Sequence, residues 1–385
     1  MDLARDEEVV LAYASGDTSG RTIPVLYPRI AVDLKPGHAV YIADGLIRLT
    51  VRSVKDGRVR CRVINGGTIR TGNGVNMPHS DLALNAFTKE DERHLAFGLQ
   101  QKVNFVGISF VGNAKDVNRV RAFCQKRRSD PFLIAKIERQ QALNNLSEIV
   151  EAADGIMVAR GDLGVEVPFS DIPGLQKRIV SVSREYGKPV IVATQVLESM
   201  VQNPRPTRAE ATDIANAVLE GADAIMLSGE TATGKYPKES VKALSDVIRA
   251  SEKTTQRVEM DLPGRNLDLS DIIAHEACHV AGRIKAKFIV IPSRSGKTVA
   301  RISRFRPSAP VLAMMKEESR RQQLCLYWGV RVWRGLAEKR FHRPSVVRKE
   351  LLRSRFARTG DKVLLVGGDP DAPVGETNLI RVVRI

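Results

Sequence analysis

The strongest constraint on the fold is a series of five short apolar runs, residues 104–110, 132–137, 155–159, 189–193 and 224–228, separated by charged, helix-favouring stretches. Continuous apolar runs of this length mark strands buried on both faces. Such strands, alternating with helices, pair in parallel, and right-handed crossovers curl the units into an open sheet or a barrel. In folds of this kind polar residues at the C-terminal strand ends face the active site, whereas apolar residues lower down pack the core. The strand ends here carry Lys136 with Glu138, Arg160-Gly161-Asp162, Thr194-Gln195 and Gly229-Glu230-Thr231.

The flanks read differently. Residues 1–78 alternate short β-branched runs with Gly, Pro and Asp every eight to twelve residues or so, the pattern of a small all-β barrel or sandwich. After a linker-like Leu262-Pro263-Gly264-Arg265-Asn266, residues 266–385 alternate helices and strands again, as in a smaller α/β domain. Three modules are therefore expected, 1–78, 79–258 and 266–385. A chain of 385 residues with 43% hydrophobic and 27% charged positions supports a sizeable core, which excludes collagenous, low-complexity and extensively disordered classes.

The net charge of +16 points to an anionic partner: a phosphorylated metabolite, a nucleotide, nucleic acid or an acidic membrane surface. The four cysteines form no C-x-x-C pair, so neither a disulfide scaffold nor a zinc knuckle is expected. The N-terminus is acidic where a signal peptide is basic, and no apolar run approaches the ~20 residues that span a bilayer. A soluble, cytoplasmic protein without membrane contact is expected.

Four motifs carry chemistry. Lys136 and Glu138 occupy alternate positions of one strand, so both point the same way, and Asp162 arrives at the end of the next strand. Two carboxylates beside one lysine suit a hard divalent ion such as Mg2+ or Mn2+ and leave the lysine for a phosphoryl group; a structural ion pair satisfies the same spacing. Ser293-Arg294-Ser295-Gly296-Lys297-Thr298 follows a strand and opens a helix, as a phosphate cradle or a ligand-free N-cap would. His275-Glu276-Ala277-Cys278-His279 is a literal H-E-x-x-H, but no third ligand follows at the expected spacing, and the segment reads as an ordinary amphipathic helix. The basic residues from Lys339 to Arg358 have few interleaved aromatics, which favours a solvated face or an effector-phosphate site over nucleic acid.

The blocks Ile134-Ala135-Lys136-Ile137-Glu138, residues 154–166 with Ala159-Arg160-Gly161-Asp162, Ala193-Thr194-Gln195 through Met200, residues 203–210 and Met226-Leu227-Ser228-Gly229-Glu230-Thr231-Ala232 resemble pyruvate kinase, in the family's order. The resemblance runs from about Val32 to Gly375-Glu376-Thr377-Asn378. It implies a TIM-type β/α-barrel interrupted by an all-β cap, with a C-terminal α/β regulatory domain. It also implies transfer of the phosphoryl group of phosphoenolpyruvate to ADP, giving pyruvate and ATP. Under it, Glu138 and Asp162 bind Mg2+ (or Mn2+), Lys136 neutralises charge on the phosphoryl group, and Thr194 lies near the methylene that takes up a proton. Gly161 and Asp162 start a helix-like turn for the substrate carboxylate, and the loop Ser293 to Thr298 takes the phosphate of a sugar-phosphate effector in some members. A homo-oligomer is implied as well.

The sequence also departs from the family. Five barrel strands are counted where the family has eight, and the family's K+ ligands belong to the strands not counted. Asn73 stands where the family places a nucleotide-contacting lysine, and Gly112 where it has arginine. Three explanations stay open: a fragment or mis-called start, a chain completed by a partner or second chain, or a catalytically impaired homologue that binds metabolites. Slow turnover of this chain is the corresponding expectation.

Overall fold

In the computed structural model, the described residues are 1–13, 21–43, 45–78, 86–254, 268–334, 343–368 and 376–385. The expected linker, the proposed boundaries near 79, 258 and 266, and Lys339-Arg340 lie outside them.

The N-terminal module is a six-stranded sheet in the order Thr22–Val25, Glu8–Tyr13, Arg58–Asn65, Ile47–Lys55, Ala39–Ile42 and Val75–Asn76. All its pairs are antiparallel except the first. One apolar core serves it, including Val9, Leu11, Val40, Ile42, Leu49, Val59 and Val63. The alternation is locked by a two-residue Asp56-Gly57 turn with φ of 51° and 74°, a hairpin geometry that matches the twist of its strands.

Five parallel strands follow in sequence order, Phe105–Ile108, Phe132–Ile137, Gly155–Ala159, Val190–Ala193 and Ala224–Met226, forming a curled half-barrel sheet. Its two faces are filled separately. Leu133, Ala135, Ile137, Ile156, Val158, Val190 and Val192 pack against the surrounding helices. Ile134, Met157, Ile191 and Ala193 form an inner cluster that Leu326 of the C-terminal domain helps to close. Lys136, in step with Ile134, therefore belongs to the inner face, while Ile137 points into the helical layer. Capping boxes at Thr88/Asp91, Asn113/Asp116 and Thr207/Glu210 start three of the helices and satisfy first-turn N–H groups.

The C-terminal domain is a five-stranded sheet in the order Val330–Arg334, Val311–Met315, Ile289–Pro292, Lys362–Gly367 and Leu379–Arg384, the last antiparallel. The two outer strands escape a reading by apolar runs because Arg331, Arg334, Arg381 and Arg384 interrupt them; an edge strand tolerates charge on its open side. The basic stretch contains the helix Pro344–Arg353, which buries Val347 and Leu351 under the sheet.

The domains are joined by polar contacts that the sequence does not announce. Asp223, at the foot of the last barrel strand, accepts from Arg306 Nη1 at 2.8 Å, Arg306 Nη2 at 3.0 Å, Trp328 N at 3.0 Å and Val190 N at 3.0 Å. Arg320 pairs with Asp130 at 2.6 Å across the same boundary. Among the described residues no helix is long and apolar enough to cross a membrane.

Candidate active site

The structure brings Lys136 and Glu138 together at the C-terminal end of their strand. Lys136 Nζ lies 2.6 Å from Glu138 Oε1 and donates to Ser109 Oγ at 3.0 Å. The other Glu138 oxygen accepts from the Phe110 N–H at 2.6 Å, with Phe110 held at φ 53°. Glu138 is only 1% exposed. Burial pushes its carboxyl above the ordinary range; the Lys136 and Phe110 hydrogen bonds oppose this, and the negative charge of Asp162 adds to it. Asp162, in the first turn of the helix Arg160–Glu166, thus shares the electrostatic neighbourhood of Glu138. A buried carboxylate with a second within its electrostatic reach is an oxygen donor set suited to a hard divalent cation.

A second cluster adjoins the first. Thr194 and Gln195, directly after their strand, both have left-handed backbones, with φ of 65° and 52°. Such a conformation is costly for a β-branched residue and persists only where the surroundings impose it. Arg160 supplies much of that restraint. Its guanidinium donates to Thr194 O at 2.8 Å, Gln195 O at 2.9 Å and Asp213 Oδ2 at 2.6 Å, and the side chain is buried. The turn directs Thr194 Oγ1 at the Gly161 N–H, which donates to it at 2.8 Å. Gly161 and Thr194 are thus in direct contact, with Asp162 next in the chain.

Sequence reasoning gave no task to Arg160, Ser109 or Phe110. Arg160 had a visible signal, an arginine between an apolar strand and a glycine, but its targets are backbone carbonyls that no sequence displays. Glu230 sat among the strand-end residues, yet it turns inward, 2% exposed, and accepts from Leu197 N and Ser228 N, each at 2.8 Å. It holds two loops together.

The two departures at Asn73 and Gly112 have local explanations. Asn73 Oδ1 accepts from Arg70 N at 2.7 Å, closing its own turn. A Cβ on Gly112 would lie 2.5 Å from Gln141 Oε1, so a larger side chain requires Gln141 to move.

The loop Ser293 to Thr298 lies well away, in the C-terminal domain, and opens the helix Lys297–Arg304. Ser293 Oγ accepts from Gly296 N at 2.9 Å, and Thr298 Oγ1 meets Thr377 Oγ1 at 2.8 Å. Arg294 is exposed, and Ser295 Oγ accepts from Lys297 N at 3.4 Å. Ser295, Gly296 and Lys297 border a cavity of about 510 Å³ whose walls also carry Lys188 and the ion-paired Arg121–Asp154, Arg301–Asp271, Arg304–Asp271 and Arg320–Asp130.

A curled parallel β/α sheet preceded by an all-β module, with a lysine and two carboxylates at its strand ends, is the arrangement of a β/α-barrel enzyme. Family models for the pyruvate kinase barrel domain and for the pyruvate kinase alpha/beta domain match residues 3–241 and 271–383. The pyruvate kinase of Agrobacterium vitis is 39% identical over 390 residues, spanning 100% of this chain and 80% of that protein. That of Thermotoga maritima is 41% identical over 359 residues, with 92% and 76% covered, and that of Mycobacterium tuberculosis 38% over 385 residues, with 99% and 81% covered. The chain belongs to the pyruvate kinase family, and its function is the phosphoryl transfer of that family.

Proposed function

We propose that phosphoenolpyruvate and ADP react over the strand ends that carry Lys136, Glu138, Asp162 and Thr194. The supporting observation is the contact set Lys136–Glu138–Ser109–Phe110, a buried carboxylate and a lysine fixed in one orientation beside Asp162. Glu138 and Asp162 would hold Mg2+ or Mn2+, which when bound offsets charge on the phosphoryl oxygens. Lys136 is poised to neutralise the same group while it is between donor and acceptor, where fixed charge contributes most.

The substrate carboxylate would take over the Gly161 N–H from Thr194 Oγ1. That exchange opens an acceptor position on Thr194 Oγ1, whose own proton is donated to Ala193 O at 2.6 Å, beside the enolpyruvate methylene, and the Arg160 clamp keeps the residue there. Proton delivery at this carbon completes the formation of pyruvate after the phosphoryl group has left for ADP. The loop Ser293 to Thr298, with the cavity beside it that Lys188 and Lys297 line, would take the phosphate of a sugar-phosphate effector. The domain roles follow: residues 1–78 as the cap, 79–258 as the catalytic barrel and 266–385 as the regulatory domain. A homo-oligomer, tested by light scattering, completes the reading.

The deciding experiment is Lys136→Met. Pyruvate formation should vanish while circular dichroism shows the fold retained, with a lowered thermal midpoint because the buried Glu138 loses its charged partner. Retained turnover would remove Lys136 from the mechanism.

A further inference from the structure

On the helix Leu269–Arg283, remote in sequence from the barrel strands, His275 and His279 lie one turn apart, and their Nε2 atoms share a hydrogen bond at 3.2 Å, one ring donating and the other accepting. Two imidazole ligands on tetrahedral zinc, with Zn–N bonds near 2.0–2.1 Å, place their nitrogens about 3.3 Å apart. The pair already has that bite. A second, independent feature belongs to the same chemistry. Glu276 Oε1 lies 3.0 Å from His275 Nδ1, the ring nitrogen on the other side. A carboxylate on the distal nitrogen fixes the tautomer that leaves Nε2 as a lone-pair donor, the arrangement usual behind a metal-bound histidine. The three side chains offer ligand atoms all within 4.8 Å of one another.

The surroundings are compatible with a cation. Asp271, one turn before His275, pairs with Arg304 at 2.8 Å and with Arg301 at 3.2 Å, which offsets both cations. The Phe305 ring packs against His275 with centroids 5.1 Å apart and limits its rotation. Cys278 is no ligand: its sulfur turns to Ala274 O and Ile302 O.

We propose that His275 and His279 form a binding site for a borderline transition-metal ion of the zinc class, oriented by Glu276 and completed by water. It is separate from the magnesium-type site at Glu138 and Asp162. It is no protease centre, because Glu276 holds a ligand histidine and therefore does not serve as a base for a metal-bound water. Imidazole donors select Zn2+, Ni2+ or Cu2+ over Mg2+, so the two sites sort metals by ligand type. The bound ion would cross-link one turn of a helix that packs on the domain's sheet.

The test is Zn2+ titration of the full chain against a colorimetric chelator in excess Mg2+, which occupies the carboxylate site. Single His275→Gln and His279→Gln variants should each weaken Zn2+ by about tenfold or more, and Glu276→Gln by about tenfold. Zn2+ should raise the thermal midpoint of the parent chain and leave the double histidine variant unmoved. Unchanged pyruvate formation in Mg2+ verifies that the variants are folded. Should one of them misfold, Co2+ added to the parent chain gives a second reading: tetrahedral visible absorption supports the site, and its absence overturns the proposal. Equal Zn2+ affinity in the parent and the double variant would likewise overturn it, assigning the ion to His38, His79, His94, His342 or surface carboxylates.

Discussion

Replacing Lys136 with methionine also tests whether this lysine sets the charge state of Glu138. The buried Glu138 carboxyl is pushed up by desolvation and held down by Lys136 and the Phe110 N–H, while Asp162 pushes it further up. A hydrogen bond between charged partners contributes roughly 1.5–3 kcal/mol. Losing Lys136 removes a contact that holds the carboxyl down, so Glu138 rises further above the ordinary range. The sign follows from the chemistry: only the ionised carboxylate holds a divalent cation, so binding falls as pH drops through the pKa of Glu138. In Lys136→Met that fall should occur at higher pH than in the parent. Above the transition the variant should bind at least as tightly as the parent, since a nearby positive charge has gone. Free Mn2+, followed by electron paramagnetic resonance across pH, reads this without turnover, and Glu138→Gln should abolish the transition. An unmoved transition, or one shifted to lower pH, refutes the coupling.

Asp223→Ala should destabilise the chain by about 3–5 kcal/mol, because it strands Arg306 in a buried boundary. Asp223→Asn should cost less, and a loss below about 1 kcal/mol in chemical denaturation would show that Asp223 does not latch the domains. Arg160→Ala should lower kcat for phosphoenolpyruvate about tenfold or more, with a smaller effect on KM, by releasing the strained Thr194-Gln195 turn. Arg160→Lys should recover only part of this, since one ammonium group cannot reach both the two carbonyls bonded by Nη2 and the Asp213 carboxylate bonded by Nη1; full recovery would reduce the arginine to a point charge. Activity removed by EDTA should return with Mg2+ or Mn2+, whereas return with Zn2+ alone would overturn the oxygen-donor assignment.

The barrel units, the all-β module and the Lys136–Glu138 pair were legible from residue order because each rests on local periodicity. Alternation by two places Lys136 and Ile137 in opposite layers whatever the rest of the chain does. Turn chemistry at Asp56-Gly57 and the capping boxes is likewise local. The C-terminal edge strands were hidden because their arginines erase the apolar pattern, and only pairing beside Val311–Met315 and Lys362–Gly367 makes Val330–Arg334 and Leu379–Arg384 strands.

Contacts between distant segments belonged to the tertiary structure alone. Arg160 reaches carbonyls 34 and 35 residues away, and Arg306 reaches Asp223 83 residues away. A carbonyl acceptor carries no side-chain identity, so no residue pattern encodes such a bond. The chain order specified which groups stand at the strand ends. Folding decided which are buried, which share a charge environment and which histidine nitrogens face each other, because dielectric and distance are properties of packed neighbours.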